Sequence, residues 1–488
     1  MSKSFRVIFA CLVIMILAVA QVTFASTPTR PSKKRKKKKA TVANLVIVGT
    51  YATQTPISEP VVTNVTTSDT SITPVTPQPD ENSKRVLRGA KTPSVHILPI
   101  EEPPLDVTAT AGQLVISEFR VRGPNGANDE FIEIYNNSGA DHTVMASSGT
   151  GYGVAASDGV TRCSIPNGTV IPNKGHYLCV NSVGYNLASY PAGNGTTATG
   201  DATYTTDIPD NAGIALFNNN SGGASYSLPN RLDAVGSTSE ANVLYKEGTG
   251  YPALTPFSID YAFYRDNCGK GGSITTFGVC PAGSTVKDTN NNAADFIFVD
   301  TNGTSAGAGQ RLGAPGPENM SSPIERNASF AVSFLDTCVS GASPPNRVRD
   351  FTSDPPNNST FGTLDIRRTV TNNTGGNVTR LRFRVVDITT FPAPSGIADL
   401  RPRTSTAGVV TVDRPPCGSG TSTVTVQGTT LEQPPSQPNG GGFNSSMSAG
   451  TVTLGTPLAN GASIDVRFLL GIQQTGSFKF YVNIEALP

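Results

Sequence analysis

The chain reads as an all-β protein, two β-sandwich domains after a disordered N-terminal segment, and three features of the text predict it. Charged residues fill only 15% of the 488 positions. Glycine (49) and proline (37) punctuate the whole length. Between them lie many short β-branched and aromatic runs, and few stretches repeat apolar residues at the helical spacing. The length gives room for two or three domains with sizeable cores.

The N-terminal segment divides into three parts. Residues 1–25, "MSKSFRVIFACLVIMILAVAQVTFA", have the form of a secretory signal peptide. Lys3 and Arg6 charge its start, and Val7 to Ala20 is an apolar stretch short for a bilayer span. Retention as an anchor is the alternative. A basic run follows, and residues 1–39 hold ten bases and no acid, which leaves the body mildly acidic. Proline-, threonine- and serine-rich text to residue 111 predicts a disordered tether, because proline every few residues blocks a ladder. "NLVIVGTYA" (Asn44 to Ala52) is its one strand-like exception.

The first domain, 112–320, opens at "LVISEF" and continues through "EFIEIYN", "GYGVAAS", "HYLCVN", "GIALFNN", "RLDAVG", "SIDYAFYRD" and "DFIFVDT". Turn residues separate these runs at a spacing that suits a sandwich. "RLGAPGPENMSSP" (Arg311 to Pro323) closes it as a non-ladder, proline-marked stretch. The second domain, 321–488, begins at "SFAVSFLD" and ends with "SFKFYVNIEAL". In that last run Phe478, Phe480, Val482 and Ile484 point one way, and Lys479, Tyr481, Asn483 and Glu485 the other. "EQPPSQPNGGGFNSSMSAG" (Glu432 to Gly450) interrupts the series as a long flexible loop.

Setting aside Cys11 in the leader leaves six cysteines. Sequential pairing, Cys163–Cys179, Cys268–Cys280 and Cys338–Cys417, keeps each bridge inside one domain, although six cysteines allow fifteen connectivities. An oxidising, extracytoplasmic compartment follows from disulfides behind a leader.

Four acids, Glu118, Asp129, Glu130 and Glu133, gather in "LVISEFRVRGPNGANDEFIEIYNN". Alternation puts Glu130, Ile132 and Ile134 on one face, and Phe131, Glu133 and Tyr135 on the other. Beside them stand Arg120, Arg122 and a loop rich in backbone donors. The acids are therefore read as acceptors of backbone hydrogen bonds or partners of arginine; cation binding and catalysis are the alternatives.

These residues, with "IPNGTVIPNKGHYLCVN" and "ADFIFVDTNGT…RLGAPGPEN", resemble the lamin tail domain family over roughly 113–319. The resemblance implies an immunoglobulin-like β-sandwich used for attachment, with Glu118, Glu130, Glu133 and Asn136 as fold-defining positions. The chain departs from the family in Phe131, where many members carry tryptophan, and in long inserts such as Tyr190 to Asn211. Bacterial secreted members typically accompany other modules, including nucleases and phosphoesterases.

Other signals carry less. "GTSAG" (Gly303 to Gly307) matches a nucleophile elbow but lacks the following helix. Asp288, Asn290 and Asn292 have calcium-loop spacing without the glycine or the distal glutamate. His142 and His176 lack metal spacing, and His176 reads as an ordinary, partly exposed histidine at a strand entrance. Lys33, Lys34, Arg35, Lys36, Lys37, Lys38 and Lys39 form a patch for anionic surfaces, with no interleaved aromatics for base recognition. The sequence thus predicts an exported, non-catalytic attachment protein, secreted or at the cell surface, of the cell envelope or extracellular space, with no cofactor, metal or catalytic residue. Its partner would be a protein or anionic polymer of the envelope, with peripheral membrane contact open and no specific nucleic-acid recognition. The rival reading is an accessory or cryptic hydrolase using the acids near Glu130, and it needs a histidine- or metal-centred constellation that the linear text does not display.

Overall fold

The structure is a computed structural model that describes residues 109–190, 197–253, 258–266, 286–303, 311–324 and 329–488, with the backbone of 45–50. The leader, the basic run, Cys268, Cys280 and Ser305 lie outside the described residues. The fold is all-β, with short one-turn helices between strands.

In the first strand series, a seven-stranded sheet runs in the order Arg311–Leu312, Phe296–Asp300, Tyr261–Arg265, Leu114–Arg120, Phe131–Asn136, His176–Asn181, Ala202–Tyr204. A four-stranded sheet, Arg231–Val235, Ile214–Phe217, Gly151–Ala156, Thr161–Pro166, covers one of its faces. Leu114, Ile116, Phe119, Ile132 and Ile134 meet Tyr152, Val154, Ile165, Ile214 and Leu216 between the sheets. Burying each such side chain stabilises by about 1.5–3 kcal/mol. Cys163–Cys179 bridges the two sheets through this core.

The second series pairs two five-stranded sheets. One holds Leu45–Thr50, Ser477–Leu487, Arg380–Ile388, Ser446–Ser448 and Thr430–Leu431. The other holds Phe330–Phe334, Thr363–Asn372, Ser463–Gln474 and Asp399–Arg403, with Arg347–Asp350 also pairing to Thr363–Asn372. Phe478, Phe480, Val482 and Ile484 point into this core, as their alternation predicts. Cys338–Cys417 forms as expected from sequential pairing.

The strand-like exception in the tether forms a strand, Leu45–Thr50, laid antiparallel along Ser477–Val482. Two expectations need correction. Arg311–Leu312 joins the ladder as a parallel partner of Val299 and Asp300. The stretch Glu432 to Gly450 is packed rather than loose: Phe443, Asn444 and Met447 are each at most 2% exposed, and Ser446–Ser448 is a strand.

The two strand series are also not separate bodies. Phe131, Leu178, Val180, Ile297 and Val299 from the back of the seven-stranded sheet join the same core cluster as Phe383, Phe468 and Phe480. The face carrying Lys479, Tyr481 and Glu485 therefore meets protein instead of water, and all three are buried.

Candidate functional site

The site lies where the two sandwiches meet, and a β-bulge creates it. Between Ile116 and Glu118 the register against Phe131–Asn136 shifts by one residue. Ile116 and Phe119 both stay in the first core, so Ser117 and Glu118 both turn to the opposite face. A bulge re-aims side chains in this way at little cost to the sheet.

On that face Glu133 projects toward the second sandwich. One of its oxygens accepts from Ser117 Oγ at 2.5 Å and lies 2.9 Å from His176 Nδ1. The other accepts from the Glu318 backbone N–H at 2.6 Å. His176 Nε2 lies 3.1 Å from Glu318 Oε2. The ring is 1% exposed and stands between two carboxylates, which corrects the partly exposed histidine expected from sequence. Each ring nitrogen of His176 thus faces one carboxylate, Nδ1 that of Glu133 and Nε2 that of Glu318.

The second sandwich supplies cations. Arg380, Arg382 and Arg384 alternate with Leu381 and Phe383, so all three guanidinium groups face the seven-stranded sheet. Arg382 and Arg384 both pair with Glu318, and their Nε atoms donate to the two oxygens of Glu485 at 2.6 and 3.1 Å. Arg380 pairs with Glu432 at 2.9 Å. Glu133, His176 and Glu318 have the composition of a metal triad, with ligand atoms within 4.8 Å of one another. A cation is disfavoured there, because Arg384 Nη2 lies 3.3 Å from the same Glu318 oxygen that faces His176. The Arg384 guanidinium already supplies positive charge at that oxygen.

Burial, and then the Glu133 carboxylate, push the Glu118 carboxyl up to about 8 against the opposing pull of Arg384, Gly316 and Asn444. Burial acts on Glu133 in the same direction, but His176, Ser117 and Arg384 outweigh it and hold that carboxyl below its ordinary value. Because the Glu118 value is raised, its contribution to stability is fully present below the ordinary 4.5 and is lost as pH rises through about 8. Glu118→Gln, neutral at every pH, is expected to flatten the decline in urea midpoint over that window. An unchanged slope would remove Glu118 from the cause.

The remaining motif acids hold backbone. Glu130 accepts from the Ile208 N–H at 2.6 Å and from Asn181 Nδ2 at 2.9 Å, and burial pushes its carboxyl up to about 8. Asp129 pairs with buried Arg120 and accepts from the Asn125 and Asn186 N–H groups. Asn136 donates to the Ala140 and Ile171 carbonyls at 2.8 Å and accepts from Ser138. Asn372 repeats this corner in the second sandwich, donating to Gly376 and Leu458 and accepting from Thr374. The signal was present in the text as "NNSGA" and "NNTGG".

Glu133→Gln is expected to lower folding stability by about 1–3 kcal/mol, the cost of weakening a buried charged acceptor. Urea midpoints at constant slope would show it, while ligand binding elsewhere should be unaffected. An unchanged midpoint with lost function would make Glu133 a site residue instead.

The calcium-like stretch resolves in the same manner. Asn292 accepts from the Gly236 and Glu247 N–H groups at 2.9 Å and donates to the Ala234 carbonyl. Asp288 lies 3.5 Å from Arg265, whose Nη2 reaches both Asp233 oxygens at 2.7 Å. His142, 9% exposed, contacts the Tyr152 hydroxyl at 3.2 Å.

Glu318, Glu485, Asn444 and the three arginines escaped the sequence reading. The alternation in "RLRFR" marks a charged strand face, but solvent is the default partner for such a face. A cavity of about 20 Å³ lies among Ser117, Glu118, Glu133, His176 and Tyr264, room for about one water molecule. Among the described residues, the arrangement joins the two sandwiches through a buried ionic layer. Compared with known proteins, the chain matches no family model, and no curated protein or solved structure matches it.

Proposed function

We propose that this protein is an exported, non-catalytic attachment protein in which a basic head and tether are joined to a rigid pair of lamin-tail-like and immunoglobulin-like sandwiches. The observation that carries the reading is the use made of the motif acids. Glu118, Asp129, Glu130 and Glu133 are each at most 3% exposed and engaged by backbone N–H groups, Arg120, Asn181, Asn444 or His176. Acids so engaged are committed to structure, which supports the attachment reading over the hydrolase one. Among the described residues, two disulfides are compatible with an extracytoplasmic location, and no helix is long and apolar enough to cross a membrane.

Contact with anionic surfaces is assigned to Lys33–Lys39, whose attraction would come from net charge. The screening length falls to about 3 Å at 1 M salt, so such binding should fade there. Deleting residues 30–39 is expected to remove most association with phosphatidylserine-containing vesicles at low salt and to leave the fold unchanged by circular dichroism. Association that survives both the deletion and 1 M salt (roughly the limit of screening) would move the adhesive surface onto the sandwiches.

A further inference from the structure

Among the described residues Lys479 is the one buried lysine, fully enclosed, with its Nζ 2.8 Å from Asp387 Oδ2. The other cations on its sheet face are Arg380, Arg382 and Arg384, which stay charged and cannot act as nucleophiles. A register shift between Val385 and Asp387 is what brings the pair together. Without it Asp387 would share the face of Phe383 and Val385; with it Asp387 lies opposite Tyr481, on the face of Lys479. The sequence therefore places an amine and a carboxyl side by side on neighbouring antiparallel strands, dry on both sides, with side chains 0% and 4% exposed.

We propose that Lys479 and Asp387 are the site of a covalent amide cross-link between strands Arg380–Ile388 and Ser477–Leu487. One proton passes from the ammonium to the carboxylate, giving a neutral amine and a neutral acid, the forms that a dry site favours. The amine attacks Cγ, the Nζ–Cγ bond forms and one Cγ–O bond breaks. The departing oxygen leaves as water with two protons from the original ammonium, so no oxidant or other reactant is needed. Fixed proximity replaces activation, since well-oriented intramolecular pairs reach effective concentrations of about 10⁵–10⁸ M. Tyr264 supplies a buried hydroxyl without a hydrogen-bond partner. That hydroxyl is raised well above its ordinary value by burial, then by Asp266 and Asp387, which places both acids near it. It also lines the cavity of about 20 Å³, which has room for the released water. The product exchanges two buried charges for one neutral amide and ties the sheet that faces the first sandwich.

The test is peptide mapping by mass spectrometry of the full reduced chain after trypsin. The expected result is a branched peptide joining the two strands, lighter than its parts by one water, with no cleavage after Lys479. Lys479→Arg keeps the charge and the ion pair and is expected to yield only linear peptides. Linear peptides and ordinary cleavage at Lys479 in the unaltered protein would overturn the proposal and leave an ion pair.

Discussion

Replacing Glu318 by alanine is expected to lower stability by about 3–5 kcal/mol, the cost of stranding buried charges. It should also split a shared unfolding transition into two. Glu318 touches His176 of the first sandwich and both Arg382 and Arg384 of the second. Its backbone N–H donates to Glu133, so the segment that carries it is pinned between the sandwiches. Removing the carboxylate leaves two guanidinium groups and an imidazole facing one another in a buried layer. Hydrogen exchange during urea unfolding reads the two strand series separately, which suits a chain with no tryptophan. Simultaneous opening of both series in the variant would show that the apolar core alone couples them.

Loss of the Cys338–Cys417 bridge should cost about 4 kcal/mol, from the entropy of closing a loop of 79 residues. The bridge ties the turn of the hairpin Gly408–Asp413 and Thr421–Val426 to the segment after Phe330–Phe334. That hairpin rests on a small cluster of Leu335, Val412 and Val426, and an isolated two-stranded hairpin is marginal in water. Replacing both cysteines by serine should therefore raise amide exchange first in residues 408–426 and lower the melting temperature. A hairpin that stays protected would show that its apolar contacts suffice.

The strands were legible wherever one face is apolar. Phe478 to Ile484 and the split of Ile132 and Ile134 from Phe131 and Glu133 follow from a period of two, and the structure keeps both. His176 was misread because its partners Glu133 and Glu318 lie 43 and 142 positions away, beyond any local pattern. The arginines of "RLRFR" were visible as a charged face, but nothing local says whether such a face meets water or another sheet.

By itself, the sequence determined the all-β class and the strand series, and it made sequential pairing the simplest choice for the two bridges now seen and hydrogen-bond acceptance the first reading of the motif acids. Those properties rest on local periodicity, turn chemistry and short-range spacing. The tertiary structure alone decided that two bulges turn Glu118 and Asp387 onto the shared face, and that Glu318 closes the ionic layer there. A one-residue register shift reverses every side chain beyond it, and ladder pairing between distant strands sets where that shift falls.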